Sequence, residues 1–497
     1  MKYDVVLTGL QFTEYALKPL ASGPSAFARA LDLARRLSPR LHLLLPPSHP
    51  PLPDGAPTPL LAPPTQRGLA EALATLAAHT DAEAFLILHA DAPFTHHGLA
   101  TRLLDQHERY FADYTFAEGH PDGLAPEVVS RRALSALTRL AGDEPVTRKD
   151  LFPILQKDIN AFDIETILSS HDARLLRIPL FADTRRTHLL CDRLAALPLW
   201  DKDADEITAY LLSHKELLRT LPAYYQVQIV RGCPQSCAYC PYPLKEDVRA
   251  VRAFMEPERF AGLVDRIAAF SDDAVIGLSL WGEPGLHPAI AELAAHVLAH
   301  PRLSLLLETS GIGWGPAALE RTASLDTTGR LMWIVSLDAV EPSLYRTLRG
   351  DGLEEALRTV ETLHRIVPAH TYVQAVRMKE NDAHLRTFYQ TLTDRGYKVI
   401  FQQYDSFCGR LPDRMVVDIS PLTRIPCWHL ARDMVILFDG TVPLCREDLD
   451  AAHALGNVWE DELEELWERG RPWYERHVRE EYPELCARCT EYFNFNF

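Results

Sequence analysis

Three cysteines close together constrain this 497-residue chain more than any other feature of its sequence. Cys233, Cys237 and Cys240 lie in a C-x3-C-x2-C spacing, in a short stretch that also contains Gly232. Three thiols this close cannot all turn inward as small hydrophobic side chains, and a glycine-containing loop can curl them around one centre. An iron–sulfur cube needs a thiolate for each iron, so three cysteines leave one iron without a protein ligand. The stretch therefore predicts a cluster loop with one open coordination position.

A structural zinc site and a disulfide are the alternatives for this loop. Structural zinc normally takes four ligands, and the nearest other cysteines in the sequence are the distant Cys191 and Cys408. A disulfide with one odd thiol is disfavoured, because no secretory segment opens the chain and nine cysteines in 497 residues do not make a disulfide scaffold. Iron is the favoured metal, and zinc stays open.

At this spacing the loop resembles the signature of the radical S-adenosylmethionine (SAM) enzymes. The resemblance implies that the amino and carboxylate groups of SAM chelate the fourth iron of a [4Fe-4S] cluster. It also implies that one electron from the cluster cleaves SAM to a 5′-deoxyadenosyl radical. Tyr239 precedes the last cysteine of the loop, where that family has an aromatic residue near the adenine.

Charge and hydropathy argue against two classes of partner. The formal net charge is −17 and the sequence pI is near 5.6, whereas phosphate binding needs clustered Lys and Arg, so we expect no nucleic-acid partner. No apolar stretch is long enough to cross a bilayer, and we expect a cytoplasmic protein without a membrane partner. The hydrophobic share of 47% suits full cores, and the length suggests two to four domains.

Residues 1–222 form the first predicted domain, in which short apolar strands alternate with helices. We predict strands at Val5–Thr8, Leu41–Leu45 and Ala84–His89, helices at Ala26–Leu37 and Gly68–Ala78, and a proline-rich loop at Pro46–Pro64. This alternation predicts an open α/β domain with a mainly parallel sheet. Asp91 then lies where such sheets bind ligands. A charged helix from Asp205 to Leu221 leads to the next domain.

This domain resembles the cytidylyltransferase-type nucleotidyltransferases in three stretches, which begin at Asp91, His120 and Asp183. The resemblance implies that Asp91 and Asp183 hold the metal of a nucleoside triphosphate. It also implies a sugar-side loop made of Gly123, Leu124 and Glu127.

The first domain departs from that family in its phosphate loop. Between Thr8 and Leu20 it offers only Gly9 and Lys18, where the family has a basic loop that grips the triphosphate. Without cations near the phosphates, nucleotidyl transfer loses most of its electrostatic stabilisation. We expect a domain that kept the fold, lost the reaction and serves as a binding platform. Alternatively, Asp91 only caps a loop.

The alternation of strands and helices in residues 223–421 predicts a partial (β/α)6 barrel. The predicted strands are Tyr225–Val230, Ala274–Leu280, Leu303–Glu308, Leu331–Leu337, Thr371–Arg377 and Lys398–Gln403. The predicted helices are Pro257–Phe270, His287–Ala299, Leu353–Ile366 and Asp382–Arg395. Chemistry in such barrels gathers at the carboxyl ends of the strands.

The ends of the predicted strands carry the candidate SAM-binding residues. Trp281-Gly-Glu-Pro284 resembles the radical SAM family's G-G-E-P stretch, with Trp281 in place of its first glycine. The resemblance implies that Glu283 accepts the amino group of SAM. Gly282 lets the backbone approach and Pro284 stops the strand. The same resemblance places further side chains at the SAM pocket or the substrate, with a structural role as the alternative for the last four: Thr309, Ser310, Ser336, Asp338, Arg377 and Gln403.

Residues 422–497 contain a second cysteine set, Cys427, Cys445, Cys486 and Cys489. They resemble a short SPASM-type domain, which implies one auxiliary [4Fe-4S] cluster. An all-thiolate zinc site is the alternative. Of the two remaining cysteines, we expect Cys191 to be inert core and consider Cys408 as a spare ligand. We expect the aromatic ending, residues 492–497, to dock on the protein.

The order of the three domains resembles the spiro-SPASM family. The resemblance implies a radical enzyme that abstracts hydrogen and uses an external one-electron donor such as flavodoxin or ferredoxin, but it does not imply a substrate. Its catalytic residues would be the three loop cysteines and Glu283. The first hypothesis is a peptide or protein substrate, as for many SPASM enzymes. A nucleotide-sugar or similar small molecule presented by the first domain is the second hypothesis. A non-catalytic, metal-stabilised scaffold is the third.

Overall fold

The computed structural model describes residues 1–494 except Ser22, Asp150, Asp201, Glu246 and residues 250–252. The chain divides into two compact units, Met1–Thr220 and the residues from Leu221 onward. The boundary between these units, after Thr220, lies two residues before the predicted boundary at 222. The predicted boundary at 421 falls inside the second unit and stays a prediction.

The first unit contains one mainly parallel sheet, with seven strands among the described residues. The strands are β1 (Tyr3–Thr8), β2 (Leu41–Leu45), β3 (Leu60–Leu61), β4 (Ala84–His89), β5 (Tyr114–Glu118), β6 (Glu127–Ser130) and β7 (Ile164–Leu168). Their order is β3-β2-β1-β4-β6-β5-β7, and β6 runs antiparallel to both of its neighbours. The predicted open α/β fold is confirmed.

Helices cover both faces of this sheet. They are α1 (Ala26–Leu37), α2 (Gln66–Ala78), α3 (His97–Tyr110), α4 (Leu134–Leu140), α5 (Phe152–Leu155), α6 (Arg185–Ala195) and α7 (Ala204–Ser213). Successive side chains of a strand point to opposite faces, and along β1 Val5 and Leu7 pack with α1 and α3 while Val6 packs with α2 and α4. One hydrophobic core therefore packs on each face of the sheet.

Two predictions for the first unit are wrong in detail. The proline-rich stretch contains a short strand, because Leu60 and Leu61 pair in parallel with Leu44 and Leu45. The linking helix ends at Ser213 instead of Leu221 and is followed by a 3-10 turn at Lys215–Leu218. The break lies at His214, whose ring Nδ1 pairs with the Tyr210 carbonyl at 2.9 Å and whose backbone leaves the helical range.

The second unit is built on a parallel sheet, again with seven strands in the described part of the chain. The strands are β8 (Tyr224–Val227), β11 (Ala274–Gly277), β12 (Leu303–Thr309), β13 (Leu331–Ser336), β14 (Thr371–Arg377), β15 (Lys398–Gln403) and β16 (Asp433–Ile436), in the order β15-β14-β13-β12-β11-β8-β16. Two short antiparallel pairs join β9 (Val230–Arg231) to β10 (Ala253–Phe254) and β17 (Thr441–Val442) to β18 (Gly456–Asn457). The six predicted barrel strands are present, and β16 from the C-terminal segment adds a seventh beside β8.

Helices follow the strands along the chain. They are α8 (Tyr242–Lys245), α9 (Pro257–Ser271), α10 (Ile290–Ala299), α11 (Pro316–Ala323), α12 (Pro342–Arg349), α13 (Leu353–Ile366), α14 (Leu385–Thr393), α15 (Trp428–Arg432), α16 (Leu463–Arg469), α17 (Arg471–Val478) and α18 (Glu484–Ala487). Their apolar faces recur at helical spacing, as Ala356, Val360 and Leu363 do along α13. Because all the sheet strands run in one direction, their carboxyl ends meet at one edge. Among the described helices, none has the length and apolarity that a bilayer crossing needs.

Candidate functional site

A cavity of about 490 Å³ opens at the carboxyl ends of the second unit's strands. It is lined by Cys233, Cys237 and Cys240 and by residues that follow β11, β12 and β13. The predicted residues on its wall are Tyr239, Gly282, Glu283, Thr309, Ser310, Ser336 and Gln403. The structure thus brings most of the sequence-predicted site residues to one place.

The three-cysteine loop is held by the end of α12. Backbone N–H groups of Ser236 and Ala238 donate to the carbonyls of Arg349 and Leu348 at 3.1 and 2.7 Å. Burial raises the pKa of each loop thiol, that of Cys240 to about 12. The three sulfurs are therefore preorganised but stay protonated until a metal displaces the protons.

The Trp281–Pro284 turn packs directly against this loop. The N–H of Glu283 donates to the Gly232 carbonyl at 3.1 Å. Gly282 has φ of 145°, and a Cβ there would lie 2.3 Å from the Val230 carbonyl oxygen, so only glycine allows this approach. Trp281 adopts a positive φ of 43° as well. Pro284 begins a 3-10 turn and does not line the cavity.

The Glu283 carboxylate is buried and fully hydrogen-bonded. It accepts from the hydroxyls of Thr309 and Ser310 at 2.5 and 2.6 Å, and from the N–H groups of Ser310 and Gly285 at 2.8 and 3.0 Å. Burial raises the pKa of Glu283, and these hydrogen bonds oppose the rise. Thr309 and Ser310, which we predicted as pocket residues, therefore also orient this carboxylate.

Asp338 lies behind the cavity wall and ties Tyr239 to a buried cation. It accepts from the Tyr239 hydroxyl at 2.9 Å, the Val376 N–H at 2.7 Å and Arg349 Nη1 at 2.5 Å. Arg349 also donates to the Tyr239 hydroxyl and, at 3.2 Å, to the Gln235 amide oxygen. Asp338 is completely buried and Arg349 is 3% exposed. These contacts agree with the structural alternative for Asp338, and its direct contact with SAM or substrate stays a prediction.

The remaining predicted residues divide between the cavity and the surface. Ser336 lies on the cavity wall, where Gln374 donates to its hydroxyl at 3.3 Å and to Glu308 at 2.9 Å. Gln403 also lines the cavity. The side chain of Arg377 is about half exposed and pairs with Asp382 at 2.7 Å, so its contact with SAM or substrate stays a prediction.

Sequence reasoning missed several residues of this wall. Arg349, Gln374 and Arg446 all line the cavity, as does Glu308 beyond its place in the predicted motif. Arg446 pairs with Asp405 at 2.9 Å. Gln374 lies in the middle of the predicted strand Thr371–Arg377, and strand alternation could have found it. Neither arginine has a local sequence signal, because their partners are distant in the chain.

The four C-terminal cysteines gather at a second site. Burial raises the pKa of Cys445, the Glu447 carboxylate raises it further, and the nearby Cys427, Cys489 and Cys486 add to the rise. Cys408 joins them, since its thiol donates a hydrogen bond to Cys489 and thereby lowers the pKa of Cys489. Cys191, by contrast, is buried in α6 of the first unit, as predicted.

Both cysteine sets offer the thiol donors that an iron–sulfur cube requires. Among the described residues, no three cysteine sulfurs lie within 4.8 Å of each other, whereas four thiolates around one zinc ion at about 2.3 Å would lie roughly 3.8 Å apart.

The C-terminal segment packs beside the second cysteine set. The Trp428 N–H donates to the Tyr492 carbonyl at 2.8 Å, and the Arg424 guanidinium lies 4.4 Å from the centre of the Tyr492 ring. Tyr492 is buried. The last part of the predicted docking ending, residues 495–497, lies outside the described residues.

The predicted metal pair of the first unit is bridged by an arginine. Asp91 and Asp183 both accept hydrogen bonds from Arg148. In the predicted sugar-side loop, Leu124 is buried and Gly123 has φ of 94° with its Cα against the Leu180 carbonyl. Glu127 lies in β6, and the Lys18 ammonium rests 3.6 Å from the Tyr15 ring centre.

Comparison with known proteins gives three family matches along the chain. Residues 15–156 match the MobA-like NTP transferase domain, residues 227–392 match the radical SAM superfamily, and residues 427–490 match the SPASM iron–sulfur cluster-binding domain. An uncharacterized protein of Treponema pallidum (strain Nichols) is 38% identical over 359 residues, which are 70% of this chain and 98% of that protein.

Similar solved structures include two with bound ligands. SuiB of Streptococcus suis bound to the precursor peptide SuiA covers 71% of this chain and 87% of its own, at 12% identity and a TM-score of 0.42. The enzyme anSMEcpe with bound AdoMet covers 52% of this chain and 81% of its own, at 15% identity and a TM-score of 0.41.

The matches follow the predicted order of the domains and set aside a non-catalytic scaffold. A radical SAM domain and a SPASM domain together imply SAM binding and [4Fe-4S] clusters. The chain therefore belongs to the same family as the Treponema pallidum protein, and it is a radical SAM enzyme with an N-terminal MobA-like NTP transferase domain and a C-terminal SPASM domain.

Proposed function

We propose that this enzyme abstracts hydrogen from a residue of a peptide or protein that enters the cavity between the two cysteine sites. The cavity carries this proposal. One of its walls is the loop of Cys233, Cys237 and Cys240, and another contains Arg446 and Glu491. Arg446 follows Cys445 directly and Glu491 lies two residues after Cys489, so the cavity reaches from one cluster site to the backbone of the other.

The residues of the cavity would bind and orient the cofactor. Cys233, Cys237 and Cys240 would hold the cluster, at which SAM would supply a 5′-deoxyadenosyl radical once an external donor such as flavodoxin or ferredoxin had delivered one electron. Glu283, held by Thr309 and Ser310, would accept a hydrogen bond from the amino group of SAM in exchange for the bond from one of these two hydroxyls. Gly282 lets the backbone come close to the loop, and Tyr239 is held in place by Asp338 and Arg349. The cavity wall would keep water from the radical.

A peptide substrate is supported by the strand edge beside the cavity. β15 ends the sheet within the described residues. Phe401 on this strand and Ile419 in the following segment both line the cavity and are 45% and 61% exposed. An exposed strand edge next to apolar side chains is a place where an extended peptide can add a strand. A peptide bound there would present one side chain to the cavity.

The nucleotide-sugar hypothesis is less well supported. It needs a metal–triphosphate or a similar ligand at Asp91 and Asp183 of the first unit, and Arg148 lies between these two carboxylates. We therefore retain it only as the competing outcome of the substrate test.

Release of 5′-deoxyadenosine tests the radical chemistry. The full chain is reconstituted anaerobically with iron and sulfide, reduced and given SAM, and the product is quantified by chromatography. Cys237→Ala should lower the release at least 100-fold, because the cluster loses a ligand. Cys191→Ala is the matched control, since it also removes a buried thiol but in α6. Equal release from Cys237→Ala and the unsubstituted enzyme would contradict the assignment.

The substrate class is tested separately. Synthetic peptides encoded by short reading frames beside the gene, and a set of nucleotide-sugars, are incubated with the active enzyme. We expect a mass change and faster SAM cleavage with a peptide. Modification of a nucleotide-sugar alone would refute the peptide proposal while leaving the radical chemistry intact.

A further inference from the structure

A partly buried arginine connects two carboxylates in the first unit. Arg148 Nη1 and Nη2 donate to the two oxygens of Asp91 at 3.0 and 2.7 Å. Its Nε donates to Asp183 Oδ2 at 3.1 Å, and Nη2 also contacts that oxygen. Asp91 is completely buried, and the side chains of Arg148 and Asp183 are 19% and 21% exposed. One guanidinium therefore serves both acids.

The backbone that carries Arg148 is fixed at several points. We call residues 142–149 the strap. The carbonyls of Gly142 and Glu144 accept from backbone N–H groups at the start of α2 at 2.8 and 2.9 Å. The Val146 carbonyl accepts from the Gln11 side chain at 2.7 Å. The Phe181 ring lies 4.4 Å from the guanidinium carbon. The strap therefore holds the cation over the carboxyl ends of β1 and β4, where open α/β sheets bind ligands.

The two carboxylates need a positive charge between them. Burial raises the pKa of Asp91, and the neighbouring Asp183 raises it further, while Arg148 opposes both effects. Burial also pushes the pKa of Asp183 up, but Arg148 and the Thr187 hydroxyl outweigh it and lower the pKa. Two aspartates that share one crevice are oxygen ligands of the kind that Mg²⁺ and Mn²⁺ prefer. Either a guanidinium or a divalent cation could therefore neutralise these two carboxylates.

We propose that Arg148 occupies the position of a divalent cation in the first unit, so that the native protein binds none at Asp91 and Asp183 and loss of the guanidinium uncovers a metal site. Metal-dependent nucleotidyl transfer is then absent from this domain, because no cation is held there to bridge the phosphates. Any ligand of the first unit binds without a metal at this pair.

The proposal is tested by Mn²⁺ titration of the full-length, cluster-loaded protein, with free Mn²⁺ followed by electron paramagnetic resonance. Arg148→Ala should bind one more Mn²⁺ per chain than the native protein. Arg148→Lys is the matched control, since it keeps the positive charge and should bind no additional ion. Adding Asp183→Asn to Arg148→Ala should weaken the extra site at least tenfold.

Thermal unfolding gives a second readout that does not depend on SAM cleavage. Without metal, Arg148→Ala should unfold at a lower temperature than the native protein, and 1 mM Mn²⁺ should raise the unfolding temperature of this variant alone, by several degrees. If Arg148→Ala does not fold, Arg148→Gln is measured in the same way, because its side chain fills more of the space.

Three results would overturn the proposal. The first is equal Mn²⁺ binding by the native protein and by a folded variant that lacks the positive charge, Arg148→Ala or Arg148→Gln. The second is a native Mn²⁺ site that Asp91→Asn abolishes. The third is failure of both variants to fold even when they are produced and purified with Mn²⁺.

Discussion

Replacing Arg349 by methionine would leave the Asp338 carboxylate buried without its cation. Methionine has a similar length and no charge, so the loss of the ion pair dominates the effect. Removing one partner of a buried ion pair costs about 3–5 kcal/mol, and Asp338 and Arg349 are 0% and 3% exposed. At about 2–4 °C per kcal/mol for a domain of this class, the unfolding temperature of the second unit should fall by about 6–20 °C.

The same helix provides a matched control. Arg346 lies in α12 one turn before Arg349 and pairs with Asp351, but these two side chains are 71% and 87% exposed. An exposed pair contributes about 0–1 kcal/mol, so Arg346→Met should lower the unfolding temperature by no more than a few degrees. The contrast isolates burial, because residue type, helix and substitution are shared.

A double-mutant cycle completes the test. Asp338→Asn keeps an acceptor for the Val376 N–H and removes the negative charge. The double variant should therefore be more stable than the sum of the single losses predicts, by about 1–3 kcal/mol. Unfolding is followed by near-UV circular dichroism of the apoprotein, and iron per chain is measured after reconstitution. Equal losses for Arg349→Met and Arg346→Met, or strict additivity in the cycle, would refute the reasoning.

Two further predictions concern the second unit, and a third concerns the first unit. Gly282→Ala should lower the free energy of unfolding by about 2–4 kcal/mol and reduce iron loading, because its Cβ would lie 2.3 Å from the Val230 oxygen. Gly262→Ala is the control and should be neutral or stabilising, because a Cβ at this position in α9 meets open space. Thermal unfolding and iron analysis check both variants. Glu283→Gln should weaken SAM binding about 10–100-fold, because a charge-assisted hydrogen bond is lost, and equilibrium dialysis showing unchanged affinity would contradict the assignment. The buried His107 has its pKa lowered to about 4 by burial, so between about pH 6.5 and 4 the unfolded chain takes up a proton that the native chain does not. The free energy of unfolding of the first unit should therefore decrease by up to about 3 kcal/mol as the pH falls through that range. His107→Gln should make this free energy depend less on pH.

The sequence was most informative where local pattern decides the structure. The strands at Leu303, Leu331, Thr371 and Lys398 begin at the predicted residues, because short runs rich in β-branched and other apolar residues favour strands. The cysteine spacing and the Trp281–Pro284 turn predicted the cavity wall for the same reason, since each is a local motif.

What the sequence did not reveal depends on contacts between distant residues. Arg349 meets Tyr239, 110 residues away, and Arg446 meets Asp405, 41 residues away. Gln374 and Val376 are the β14 residues that line the cavity, whereas the sequence pointed to Arg377 because it ends the strand. Position at a strand's end does not by itself show which side chains face a cavity. β16 was missed because a strand of four residues in a predicted separate domain gives little signal.

The position of β16 makes the C-terminal segment part of the barrel's own architecture. β16 lies between Cys427 and Cys445 in the chain, and it hydrogen-bonds along β8, the strand that leads to the Cys233 loop. A shortened chain that stops at residue 421 would leave the backbone N–H and C=O groups on one side of β8 without their hydrogen-bond partners. Such an unpaired strand edge can pair with other molecules. The tail is thus not a removable accessory, and expression of the barrel by itself should yield aggregates in place of a smaller working enzyme.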